Sequence, residues 1–204
     1  DIRIAQISGN PRIEIPTSLV NQYAIDLLVV GNMGKNAAER LLIGSVTDAS
    51  IRLATCDVLT VKAEVATYRN LLVAVDGSKQ AEQAFAKAVA LTKANNAKLT
   101  IAHMIEYQPG LVNREDFIKQ KQEDRDLSYE TDREQKEMLL NYKREEENQG
   151  LKNVEAILCY GNPRRDIPQT LTVQNDIDLL ITAGSGRGAM ERLIIGSVAH
   201  AAVH

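Results

Sequence analysis

Gly31, Gly34, Gly44 and Ser45 form the pattern Gly-x2-Gly-x9-Gly-Ser, directly after the apolar run Leu27, Leu28, Val29 and Val30. Glycines at the end of a strand and the start of a helix expose backbone N–H groups that can point at an anion, and the Ser45 hydroxyl adds a donor beside them. Two such turns facing one strand end suit a phosphate chain. The plainer reading is that these glycines only make tight turns, since short glycine loops are common.

The unit occurs twice. Ile25 to Val46 reads IDLLVVGNMGKNAAERLLIGSV and Ile177 to Val198 reads IDLLITAGSGRGAMERLIIGSV, an ungapped offset of 152 with 13 of 22 residues identical. Each copy is a buried strand, a glycine-rich turn, an amphipathic helix and a second glycine turn. The second copy places Ala183 where the first has Gly31, followed by Gly184 and Ser185. If the backbone needs a positive φ there, alanine is disfavoured by roughly 1 kcal/mol, unless Gly184 takes the turn instead.

The elements that would position these residues follow from periodicity. Ile2 to Ile7 alternates and predicts a strand, ended by Gly9-Asn10-Pro11; its counterpart is Val154 to Cys159 before Gly161-Asn162-Pro163. Pro11 and Pro163 suit a first helical turn, whereas Pro16 and Pro168 imply either a later helix start or a kinked first turn. Val46 to Ala54 continues as helix, and Asp57 to Lys62 reads as a strand. Tyr68 to Asp76 predicts a buried strand after a linker at 63–67. Ser78 or Asp76 caps a helix whose Ala81, Ala84, Phe85, Ala88 and Leu91 share a face. Asn95-Asn96 ends it, and Leu99 to Met104 is the next strand. Residues 108–127 read as a loop or a solvated helix. Thr131-x-x-Glu134 resembles a capping box, opening a helix with a Met138, Leu139 and Tyr142 stripe that ends near Gly150. Alternating strands and helices imply an α/β fold, an open parallel sheet with helices on both faces and its ligand crevice beyond the strand carboxyl ends.

Composition narrows the function classes. With 44% hydrophobic and 25% charged residues and no apolar run approaching the roughly 18 needed for a span, the chain reads as a soluble cytoplasmic protein. A net charge of −3 supplies no concentrated basic surface for nucleic acid. Cys56 and Cys159 lack CxxC spacing and read as reduced structural thiols. A start at Asp1 without methionine suggests a fragment, and the 152-residue offset divides it into 1–66, the later part of a first repeat, and 67–204, a second repeat lacking its last strand.

The strand ending VAVDGS at residues 73–78, the GNP turns, the glycine loops and the closing DVLTVK strand together resemble the universal stress protein family, in its ATP-binding branch, over essentially the whole chain. That resemblance implies a Rossmann-like, adenine-nucleotide-alpha-hydrolase-like sheet of five parallel strands in order 3-2-1-4-5, tandem repeats, and self-association through the last strand or between repeats. It implies ATP or another adenine nucleotide, with Mg²⁺ as a conceivable companion. Asp76 would lie near the adenosine, and Gly184, Gly186, Gly196, Ser197 and Val198 near phosphates and ribose, with Gly31, Gly34, Gly44, Ser45, Val46 and Thr47 as their first-copy equivalents.

Three functions compete. The leading expectation is a nucleotide-binding stress-response or regulatory protein with no catalytic residue set, since the Walker lysine motif is absent. The second is an interaction module of the same family that binds no nucleotide, supported by Ala183. The third is a hydrolase or adenylating enzyme. Lys35 and Arg187 are conceivable phosphate neighbours. His103 is more simply structural, and the His200 and His204 pair lacks a third metal ligand.

Overall fold

The computed structural model of the chain describes residues 2–32, 43–62, 67–106, 128–184 and 196–203. Two compact units divide it, one centred on Asp1–Glu64 and the other on Val65–Ala183.

In the first unit the Asn10 side chain accepts the Arg12 N–H at 3.1 Å and starts α1 (Pro11–Ile13). This runs into a π-helical segment (Glu14–Leu19) and then α2 (Val20–Gln22). Pro16 sits buried inside the π segment. Proline lacks an N–H and its ring clashes with the carbonyl four residues back, a conflict that the wider π turn relieves. The helix therefore starts at the first proline and widens to admit the second. β1 (Leu27–Gly31) follows, then α3 (Ser45–Leu53) and β2 (Asp57–Val61), which pairs in parallel with β1 from Leu27↔Asp57 to Gly31↔Val61.

The strand expected over Ile2 to Ile7 does not form, and Ile2 and Ile4 are each 97% exposed. An extended segment becomes a strand only by pairing. The second-copy counterpart pairs with a strand over Lys98–Glu106, whereas residues 2–7 pair with no strand among the described residues.

The second unit contains β3 (Asn70–Ala74), α4 (Lys79–Asn95), β4 (Lys98–Glu106), α5 (Ser128–Asn148) and β5 (Val154–Gly161). Next come α6 (Pro163–Arg165), a second π segment (Asp166–Leu171) around Pro168, α7 (Thr172–Gln174) and β6 (Leu179–Ile181). A last helix, α8, spans Ser197–Val203. The sheet order is β5-β4-β3-β6 with every pairing parallel.

Strand side chains alternate between two cores. Leu71, Val73, Leu99 and Ile101 pack with Ala84, Phe85 and Ala88 of α4 and Leu139 of α5. Leu72, Ala102 and Met104 face Ile167 and Leu171 of the second π segment. The expected parallel α/β sheet covered on both faces is thus present. Leu91 departs from the expected buried face at 39% exposure, while Thr92 is fully buried, because the inward stripe advances from Ala88 by four residues rather than three. Thr131 lies inside α5 rather than capping it, since the helix begins at Ser128. Gly150, at φ +90, closes it in the left-handed conformation glycine takes readily. Cys56 and Cys159 are half-buried thiols.

Candidate functional site

In the first unit the sequence places a helix start at the carboxyl end of a strand. Gly44 is the N-cap of α3, at φ −60 and ψ 138, and has no side chain to cap with. Its N–H donates to the Asn32 carbonyl at 2.9 Å, and its carbonyl accepts the first helical N–H, that of Asp48, at 2.9 Å. The backbone N–H groups of Ser45, Val46 and Thr47 consequently have no protein acceptor among the described residues. Unsatisfied N–H groups carry the positive end of the helix dipole, and an uncapped helix start attracts an anion.

The surrounding contacts fix this turn. Thr47, 2% exposed, donates its hydroxyl to the Gly31 carbonyl at 2.6 Å, locking the end of β1 to the first turn of α3. A Cβ on Gly44 would meet the Thr47 Oγ1 at 3.3 Å and the Asn32 carbonyl oxygen at 3.4 Å, so glycine permits this close approach. Asp48 is held by Arg52 Nε at 3.0 and 3.1 Å, and that hydrogen bond raises the guanidinium pKa further. The first-turn carboxylate is thereby paired within the helix. Asn32 was not among the expected site residues, yet its side-chain oxygen is buried beside the turn with no partner among the described residues.

Gly31 itself is ordinary strand backbone, absent from the positive-φ glycines, and a Cβ there would meet nothing within 4 Å. Ala183 in the second copy therefore carries no left-handed penalty, and Gly184, also outside the positive-φ set, need not absorb one.

In the second unit, Asp76 stands in a turn after β3. Val75 is fixed from both sides: its N–H donates to the Ala102 carbonyl at 2.9 Å and its carbonyl accepts from His103 Nδ1 at 2.7 Å. One Asp76 oxygen, Oδ1, accepts the Ser78 N–H at 3.0 Å, leaving the other without a partner among the described residues. Gly77, at φ +75, makes the turn, and Ser78 Oγ accepts the Ala81 N–H at 3.2 Å as the N-cap of α4. His103 is thus a backbone clamp whose imidazole donates from Nδ1.

β3 and β6 are paired neighbours from Leu71↔Leu179 to Val73↔Ile181, so Asp76 and Ala183 follow adjacent parallel strands at one sheet edge. Gly184 and Ser197 are exposed, Gly196 is half-buried, and Val198 packs on the Leu72 core. Gly34 and Gly186, with Lys35 and Arg187, lie outside the described residues, as does His204. Among the described residues no group of three or more His, Cys, Asp or Glu side chains forms a metal cluster. No helix among them is long and apolar enough to cross a membrane.

Open parallel α/β sheets meet ligands beyond their strand carboxyl ends, and each unit carries a turn at such an end: Gly44-Ser45 opening α3 in the first, and Asp76-Gly77-Ser78 after β3 in the second. The chain belongs to the universal stress protein family, whose model matches residues 1–62 and 67–204. A universal stress protein of Staphylococcus saprophyticus is 39% identical over 140 residues, which are 67% of this chain and 78% of that protein. One from Staphylococcus aureus strain USA300 is 37% identical over 137 residues, with the same coverage. The crystal structure of a universal stress protein from Archaeoglobus fulgidus, at 19% identity and a TM-score of 0.64, covers 96% of this chain and 62% of its own and shares the fold.

Proposed function

We propose that this universal stress protein binds an adenine nucleotide, ATP first among them, and acts in stress response as a binding regulator without rapid turnover. The observation that carries the reading is the uncapped start of α3 beyond β1, where the Ser45, Val46 and Thr47 N–H groups have no protein acceptor among the described residues. Three such donors suit a phosphate group. The Asp76 oxygen left open in the second unit is suited to accept from a ribose hydroxyl or an adenine amino group. Gly196 and Ser197 repeat the first-copy turn in sequence, and Gly34 and Gly186 stand at matching sequence positions. Mg²⁺ would arrive with the nucleotide's phosphates rather than in a protein cage.

The sequence carries no Walker lysine motif, and the reading is one of binding without rapid turnover. The alternative, an interaction module without nucleotide, drew its support from Ala183. Gly31 does not occupy a backbone that alanine cannot share, and that support falls away.

The test is calorimetric titration of ATP, with and without Mg²⁺, into the chain and into Ser45→Pro. Ser45 is the first residue of α3, a position where proline fits because its fixed φ is helical and its missing N–H leaves no intrahelical bond unmade. Gly44 before it already has the extended ψ that a following proline requires. The substitution removes one donor and one hydroxyl while keeping the helix. A charge-assisted bond of this kind corresponds to about a tenfold or larger loss of affinity. Absence of ATP binding in the folded parent chain would overturn the reading. Binding unaltered in Ser45→Pro would move the phosphates away from α3.

A further inference from the structure

Between α4 and α5 lies an open groove of about 630 Å³ beside the Asp76-Gly77-Ser78 turn, where a Cβ on Gly77 would meet the Met138 sulfur at 3.2 Å. Met138 and Tyr142 form its half-buried floor, and Phe85 closes it beneath, its ring 4.5 Å from that of Tyr142 at a 50° tilt. Glu82 of α4 and Glu134, Glu137 and Glu145 of α5 form an exposed rim. Glu134, Met138, Asn141 and Glu145 recur at helical spacing, so the groove follows one face of α5 for about three turns, roughly 16 Å.

We propose that this groove docks a cationic amphipathic helix of a partner protein, with an apolar side chain on Met138 and Tyr142 and lysine or arginine side chains against the glutamate rim.

Charge complementarity selects this occupant. Glu82, Glu134 and Glu145 have no cationic partner among the described residues, and Glu137 meets only Arg133, at 3.1 Å on an exposed face where such a pair contributes little. The Tyr142 phenol pKa is raised, by burial first and then by the charges of Glu82, Glu145 and Asp76, which marks the groove as a negative field over an apolar surface. A nucleic acid is repelled by that field. A second copy of this chain docking groove to groove would oppose glutamates with glutamates. A bare cation has no use for the Met138 and Tyr142 floor. A helix with an apolar stripe flanked by basic residues satisfies both surfaces at once.

The experiment is fluorescence anisotropy of a labelled leucine–lysine peptide about three helical turns long, with leucines at i, i+3, i+4 and i+7, against the same composition scrambled to break the stripe. The striped peptide is expected to bind the intact chain, to weaken by about tenfold or more from low to high salt, and to weaken comparably in the triple variant E134Q/E137Q/E145Q. Glutamine preserves helix propensity, and an unchanged circular dichroism melt shows that the variant is folded. Met138→Lys, which leaves the rim glutamates in place and spoils the floor, should also reduce binding. Equal binding of the scrambled peptide, binding indifferent to both variants, or a sedimentation profile showing copies of the chain held together through this groove would overturn the proposal.

Discussion

At the scale of single residues, the repeat allows one position to be judged against its twin. Ala24 and Asp176 are 152 residues apart, and both take the left-handed conformation, at φ 48 and 49, where the helix before β1 or β6 gives way to the strand. Aspartate tolerates that region and alanine pays for its Cβ. Ala24→Gly is expected to raise the unfolding free energy by about 0.5–1 kcal/mol, measurable by urea denaturation. The Thr47 hydroxyl works in the opposite sense. Thr47→Val leaves the Gly31 carbonyl without its donor, at an expected cost of about 1–2 kcal/mol in the same assay. The family resemblance counted Thr47 among ligand-contacting residues, and the structure engages its hydroxyl in the protein. Spacing in a sequence identifies which residues reach a turn, but it does not say whether a hydroxyl is already occupied.

At the scale of elements, the prediction concerns how strands are joined. Asp178 Oδ2 accepts the N–H groups of Arg69 and Asn70 at 2.8 and 2.9 Å, pinning the entry of β6 to that of β3. Its twin Asp26 has no such side-chain bond among the described residues. Asp178→Ala should therefore lower the melting midpoint, by about 1–2 kcal/mol of stability, while Asp26→Ala changes it little. A second link joins β5 to α5, where the Tyr160 hydroxyl donates to Asp132 at 2.6 Å. Burial first, and then that hydrogen bond and the Asp132 charge, push the phenol pKa up to about 12 from 10.0. Because the folded value exceeds the unfolded one, the stabilisation is fully present below pH 10 and is lost as pH rises toward 12. Tyr160→Phe should lower stability at neutral pH and lose its disadvantage across that alkaline window, as followed by thermal melts.

The elements also show where sequence reasoning reached and where it stopped. The order of strands and helices, the inward face of α4 through Ala81, Ala84, Phe85 and Ala88, and the ends at Asn96 and Gly150 were legible, because periodicity and left-handed positions are local properties. The strand at Ile2 to Ile7 was misread because alternation describes a face, whereas a strand needs a neighbour. The π turns at Pro16 and Pro168 were hidden because two prolines five residues apart point to a helix boundary when only α geometry is considered. The start of α5 at Ser128 displaced the apparent cap at Thr131, since a capping pattern can equally sit within a helix.

At the scale of the molecule, the same sequence unit is read in two settings. In the second unit β6 is flanked by β3 and its residues are half-buried, while in the first unit β1 pairs with β2 and leaves Leu27 and Val29 51% and 55% exposed. Acid stability is set at another repeated feature. Asp166 sits against Gly161 and accepts the Asn162 N–H at 2.8 Å; its hydrogen bond with Arg165 is the main cause of a lowered carboxyl pKa. A depressed folded value means stability that is present above the ordinary 3.8 and lost as pH falls through the folded pKa. Asp166→Asn should be less stable than the parent at neutral pH, by about 1 kcal/mol, and the gap should close below that range in an acid titration followed by circular dichroism.

The central claim is that nucleotide phosphates meet the open start of α3, and amide chemical shifts read that contact directly. ATP added to isotope-labelled chain is predicted to shift the N–H resonances of Ser45, Val46 and Thr47 well beyond those of the α3 interior. Saturating ATP that leaves those three amides unmoved would contradict it.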